Sequence, residues 1–178
     1  MSKAYGLIRR FSEDIDITVF RDDLKQSATV EHLEALSRKQ RRRRLDDIRN
    51  ACRAYVGGQL LADMTSALAE DTCGTGHVSL DADDREGQTL LVWYPQVQPV
   101  EGAYVQPAVR IEAGAKSALD PHRAVTITPY VAADVRDLDL AVPDVTTIEA
   151  ARTFWDKVVI VHGLRRWYER RGELRQED

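Results

Sequence analysis

The chain is poor in the residues that mark several common catalytic designs. It has two cysteines, Cys52 and Cys73, and no Cys-x-x-Cys pair, so neither a disulfide framework nor a thiolate zinc site is indicated. Both cysteines read as small buried apolar residues. His77, His122 and His162 share no ligand spacing, and no His-Glu-x-x-His occurs, which removes the helix-borne zinc hydrolases. No Gly-x-Ser-x-Gly elbow and no Walker phosphate loop is present. No apolar run approaches the ~20 residues of a membrane span, and no signal-peptide pattern opens the chain. A cytoplasmic protein without a membrane partner is therefore expected. A net charge of −4 and a pI near 5.6 argue against a generally basic nucleic-acid binder and confine any RNA contact to a local strip.

What is present is enough apolar residue, 43% of 178, for one compact domain with a core. The most informative stretch is Asp14-Ile15-Asp16-Ile17-Thr18-Val19-Phe20. Its alternation is that of a half-buried strand, with Asp14, Asp16 and Thr18 on one face and Ile15, Ile17 and Val19 on the other. Carboxylates two residues apart on a strand lie roughly 7 Å apart at the backbone and can converge on a hard cation. Mg²⁺ is the natural occupant, with oxygen ligands and substrate phosphates completing its shell. By itself Asp-x-Asp is also what an acidic strand face or turn looks like.

Ser2 to Arg10 reads as a short helix leading into that strand. Thr29 is a plausible N-cap with Glu31 in the first turn. A long helical region follows, in which Leu45, Ile48, Cys52, Val56, Leu60, Met64 and Leu68 form a core stripe. Gly57-Gly58 should bend it or divide it in two. Arg38-Lys39-Gln40-Arg41-Arg42-Arg43-Arg44 is the densest positive run. It reads either as a solvated helix face or as a salt-sensitive RNA contact. Strands are expected at His77–Leu80, Thr89–Tyr94, Val109–Ala113 and Val125–Tyr130, with an exposed loop from Pro95 to Pro107. Thr146-Thr147-Ile148-Glu149 fits a capping box opening a last helix that runs toward Arg171 before Gly172, with Phe154, Val158 and Val161 on one face. The expected class is α+β, a small mixed sheet flanked by helices, spanning 1–178 as one domain.

Three blocks give the chain a family likeness. Ser2-Lys3-Ala4-Tyr5-Gly6-Leu7-Ile8-Arg9-Arg10-Phe11-Ser12-Glu13-Asp14-Ile15-Asp16, then Val109-Arg110-Ile111-Glu112-Ala113-Gly114-Ala115, then Arg152-Thr153-Phe154-Trp155-Asp156-Lys157 leading to His162-Gly163, resemble in order the AbiEii/AbiGii nucleotidyltransferase toxins. That resemblance implies a nucleotidyltransferase-like fold and a Mg²⁺- or Mn²⁺-dependent transfer of a nucleotide from an NTP to an acceptor. The acceptor it implies is RNA such as tRNA, with a protein acceptor as runner-up, in a toxin–antitoxin or phage-defence setting with a cognate antitoxin as partner.

The resemblance also assigns roles. Asp14 and Asp16 would hold the metal, and Glu112, on the same strand face as Arg110, would be the third acid and favour deprotonation of the attacking hydroxyl. As a surface strand acid, Glu112 would simply pair with Arg110. Substrate contacts are implied for Lys3, Arg152, Thr153 and Lys157. Lys157, four residues from Thr153, would meet the triphosphate, and Arg152 is spaced to pair with Asp156. The Gly-Gly-Thr/Ser loop that precedes the first block in the family is absent from this sequence, and family members continue past the position of Asp178. The resemblance thus predicts a chain truncated at both ends and weakly active alone. The alternative is an impaired fragment that only binds a partner or RNA.

Overall fold

The computed structural model describes residues 2–7, 14–96, 106–115, 121–135 and 137–173. Along the chain these form α1 (Ser2–Tyr5), β1 (Asp14–Thr18), α2 (Val30–Ala35), α3 (Arg38–Tyr55), a π-helical turn (Val56–Leu60) and α4 (Leu61–Asp71). Then come β2 (His77–Leu80), β3 (Thr89–Trp93), β4 (Ala108–Gly114), β5 (His122–Ile127), a 3₁₀ turn (Tyr130–Ala133), β6 (Val142–Ile148) and α5 (Ala150–Arg171). The fold is α+β with a small mixed sheet, as expected. Two compact units divide it, one of residues 12–118 and one of 1–11 with 119–178.

The 12–118 unit is built on a four-stranded sheet in the order β1-β4-β3-β2. β1 runs parallel to β4, and the other pairs are antiparallel. Period-two alternation gives the sheet two unlike faces. Ile17, Val19, Ile111, Ala113, Leu90 and Val78 belong to one face, and they pack with Ile48, Cys52 and Val56 from the helical stripe. Ile48, Cys52, Val56 and Leu90 are fully buried. The stripe read from the sequence is therefore the core, and the other sheet face carries Asp14, Asp16, Arg110 and Glu112 together with Thr89, Leu91 and Trp93 of β3. β1 ends two residues earlier than the expected Asp14–Phe20, although the Val19 N–H still donates to the Gly114 carbonyl at 2.8 Å.

Thr29 caps α2, its hydroxyl accepting from the His32 N–H at 3.1 Å. Ser37 and Gln40 form a capping box at the start of α3 that the basic run had hidden from sequence reading. The expected break at Gly57-Gly58 takes the form of the π-helical turn, which carries α3 into α4. The basic run is partly structural. Arg41 Nε and Nη2 donate to the Leu33 and Glu34 carbonyls at 2.8 and 3.0 Å, capping the end of α2, and Arg44 reaches Gln26 and the Ser27 carbonyl. Arg38, Lys39, Arg42 and Arg43 remain exposed. Of the cysteines, Cys52 is buried as expected, but Cys73 is exposed at φ 50°. It sits just past the last turn of α4, where the chain reverses and no core faces it.

In the other unit, α1 is shorter than the expected Ser2–Arg10: Gly6 takes φ 62° and ends it, and Ile8 to Arg10 lie outside the described residues. β5 pairs antiparallel with β6, Arg123 opposite Thr147 and Val125 opposite Val145. Here the sequence reading needs correction: β5 spans His122–Ile127 and not Val125–Tyr130, because Pro129 leads into the 3₁₀ turn at Tyr130, and β6 lies where no strand is expected. Thr146 and Thr147 belong to β6, where β-branched residues suit the pleat, so no capping box forms. Glu149 occupies the N-cap of α5 with no side-chain cap bond. Phe154, Val158 and Val161 lie along α5 at the expected helical spacing and are 55%, 38% and 64% exposed. The helix does end at Arg171, with Gly172 in the left-handed conformation at φ 70°. Most of the expected Pro95–Pro107 loop and the end of the charged tail lie outside the described residues.

Candidate active site

Asp14 and Asp16 stand on β1 with Asp16 paired to Glu112 and Asp14 paired to Arg110 on β4. Paired residues on adjacent strands project to the same face, and neighbouring strands lie about 4.8 Å apart. Asp14, Asp16, Arg110 and Glu112 therefore occupy one patch on one face of the sheet. The local sequence dictates this, because Ile17, Ile111 and Ala113 take the opposite face, where they pack with the helical core. Asp14 and Asp16 are exposed, and Glu112 is half-buried.

Arg110 is the organising cation of the patch. Its Nε donates to Glu112 Oε1 at 3.0 Å and its Nη2 meets Asp81 Oδ2 at 3.1 Å. Asp81 ends the β2 side of the hairpin and is buried. Its other oxygen accepts from the Asp83 N–H at 2.9 Å, and its own N–H donates to the Thr89 carbonyl at 3.0 Å. The β2–β3 turn is bound further by Asp84, which accepts from the Gln88 and Glu86 N–H groups at 2.7 and 2.8 Å and from the Thr89 hydroxyl at 2.8 Å. Burial alone would raise the Asp84 carboxyl, but these donors and the Gly87 N–H outweigh it and hold it below the usual carboxylate value. Thr89 is buried and registers opposite Glu112, so the turn underlies the acid patch. Sequence reading missed Asp81, which is one acid in the run Asp81-Ala82-Asp83-Asp84. Only its place at the end of a strand hinted that it turns inward.

The three acids offer hard oxygen donors at neighbouring strand positions, a set suited by type to Mg²⁺ or Mn²⁺. Among the described residues, no three carboxylate, imidazole or thiol groups already converge as a metal site. Glu112 accepts from Arg110, two residues away along its own strand. Glu112 is thus paired with Arg110, as expected of a surface strand acid, and registers beside Asp16 on β1.

The remaining site residues lie in the other unit. Arg152 Nε donates to Asp156 Oδ1 at 2.9 Å as the spacing predicted, and the Thr153 hydroxyl reaches the Glu149 carbonyl at 3.4 Å. Lys157 is exposed one turn beyond Thr153, and the Lys3 ammonium lies 5.9 Å from the Tyr130 ring centre. Among the described residues there are two open surface depressions, one of about 320 Å³ lined by Gly163, Arg166, Trp167, Arg170 and Arg171, and one of about 170 Å³ beside Arg49, Asn50, Arg53, Arg85 and Glu86. Neither is lined by Asp14, Asp16 or Glu112.

A mixed sheet with a helix-covered apolar face and paired acids on its edge strand is the layout of a nucleotidyltransferase-like domain. The family model described as nucleotidyl transferase AbiEii toxin, Type IV TA system, matches residues 1–176, and the chain belongs to that family. No curated protein and no solved structure gives a significant match. No helix among the described residues is long and apolar enough to cross a membrane.

Proposed function

We propose that the chain forms one nucleotidyltransferase domain that moves a nucleotide from an NTP to an RNA acceptor such as tRNA, with Mg²⁺ or Mn²⁺ held by Asp14, Asp16 and Glu112. The observation that carries the reading is the β1–β4 register, which sets Asp16 beside Glu112 with Asp14 on the same face. Membership of a nucleotidyl transferase toxin family supports the reaction class, and a type IV toxin–antitoxin setting supports a cognate antitoxin and a cytoplasmic site of action. Bound divalent metal supplies charge that offsets the negative charge building on the attacking and leaving oxygens.

The chain's own residues would do the rest. In the transfer, an acceptor hydroxyl oxygen forms a bond to the α-phosphorus, the bond from that phosphorus to the pyrophosphate oxygen breaks, and the hydroxyl proton leaves. The ionised Glu112 carboxylate would favour that loss of the proton. Asp14 and Asp16 fix the ligand geometry because a strand held by a ladder on β4 moves little. Thr153 and Lys157 on α5 and Lys3 on α1 would bind triphosphate oxygens by charge and hydroxyl donation, and Arg152, through its bond to Asp156, would brace the stretch of α5 around Thr153 and Lys157. The test is transfer of label from α-³²P NTPs to total tRNA in Mg²⁺. Asp16→Asn and Asp14→Asn should each reduce transfer at least a hundredfold. Transfer that tolerates both substitutions would remove the acids from the chemistry, and label appearing only on protein would replace the acceptor.

A further inference from the structure

Arg110 stands between two carboxylates of different kinds. Asp81 is nearly sealed from solvent, its side chain 6% exposed, whereas Glu112 is 45% exposed. A buried carboxylate left without a counter-ion is costly, so the guanidinium is needed at Asp81 for the fold. The guanidinium is planar with donors on separate edges. It can therefore meet Asp81 through Nη2 while Nε faces Glu112. The Asp81 end is fixed, because the turn around it is held by the Asp83 N–H and by the Asp84 bonds. The Glu112 end is the adjustable one.

We infer that Arg110 is a positioning residue that divides its charge between Asp81 and Glu112, and so sets how readily Glu112 turns across to Asp16 to take a divalent cation. The inference rests on the reading that Asp14, Asp16 and Glu112 hold the metal. Two consequences follow from one guanidinium. It opposes an incoming cation and occupies one Glu112 oxygen, and Asp81 tempers both effects by drawing part of its charge away. Losing Arg110 should release Glu112 to the metal. Losing the Asp81 charge should instead leave Arg110 bound more firmly to Glu112. The two substitutions then act in opposite directions, which general loosening of the fold does not produce.

The experiment measures Mn²⁺ binding to the full chain by the electron paramagnetic resonance of free Mn²⁺, with thermal melts confirming that each variant is folded. Arg110→Gln should tighten binding and Asp81→Asn should weaken it, each by roughly three- to tenfold, the size of one unit charge shifted near a half-exposed site. The double variant carries no buried uncompensated charge and keeps the test usable if Arg110→Gln alone unfolds. Its affinity should equal that of Arg110→Gln, since Asp81 acts only through Arg110. Arg110→Lys, with one compact ammonium, should not restore the wild-type affinity. Shifts in the same direction, an additive double variant, or no shift at all would overturn the inference. Asp16→Asn separates this from the reading beneath it: if wild type binds no Mn²⁺ or Asp16→Asn leaves binding intact, the metal site itself fails. If Asp16→Asn abolishes binding while the Arg110 and Asp81 variants change nothing, only the role of Arg110 fails.

Discussion

Replacing Asp84 with alanine removes the acceptor that three donors share, the Gln88 N–H, the Glu86 N–H and the Thr89 hydroxyl, at 2.7, 2.8 and 2.8 Å. A hydrogen bond to a charged group contributes about 1.5–3 kcal/mol when well shielded. Asp84 is only partly buried, so water replaces much of each bond and the sum must be discounted. A loss of about 1–3 kcal/mol is expected, with the exposed Glu86 donor contributing least. The pH dependence carries the stronger test. The folded carboxyl titrates below its unfolded value, so its stabilisation is fully present above the unfolded pKa of ~3.9 and is lost as pH falls through the folded pKa. Urea unfolding of wild type and Asp84→Ala should differ at pH 7 and converge as the pH is lowered below about 3.9. An equal gap at both pH values would mean that the charge is immaterial, and no gap at pH 7 would mean that the turn is not held by this side chain.

The two cysteines should differ sharply toward a thiol reagent. Cys73 is exposed and should label at once in the native protein, whereas Cys52 is sealed in the core and burial pushes its thiol up, so it should label only in denaturant. Equal native labelling of both would contradict the core described above. The basic run should separate into two classes. Arg41→Ala should cost about 1 kcal/mol of stability by uncapping the end of α2, and Arg44→Ala about the same by removing its bonds to Gln26 and the Ser27 carbonyl. Arg42→Ala and Arg43→Ala should leave stability unchanged and flatten the salt dependence of any tRNA binding, as a filter-binding titration would read.

Much of the 12–118 unit was legible because its signals are local and periodic. The helical stripe, the polar and apolar faces of β1, and the strands at His77–Leu80 and Val109–Ala113 follow from side chains that must share one buried surface. The register of β1 on β4 was not legible, since it is fixed by a pairing across nearly a hundred residues. Family resemblance rather than spacing brought Glu112 to Asp16. The role of Asp81 escaped for a similar reason: burial of one acid among several close neighbours depends on where the hairpin folds back. In the other unit, Thr146 and Thr147 carried a helix-start pattern that strand pairing with β5 overrode. The apolar residues of α5 keep a helical period on a face that the described residues leave exposed, which period alone does not decide.

The central claim is that the acids of β1 and β4 are the metal seat for nucleotide transfer. It is tested most directly by crystals soaked with Mn²⁺ and a non-hydrolysable NTP, read by anomalous scattering. The account predicts Mn²⁺ peaks within coordination distance of Asp14, Asp16 and Glu112, with the triphosphate reaching the same ions and Glu112 turned away from Arg110. Nucleotide and Mn²⁺ bound elsewhere, with Glu112 still on Arg110 and no metal at Asp14 or Asp16, would contradict it.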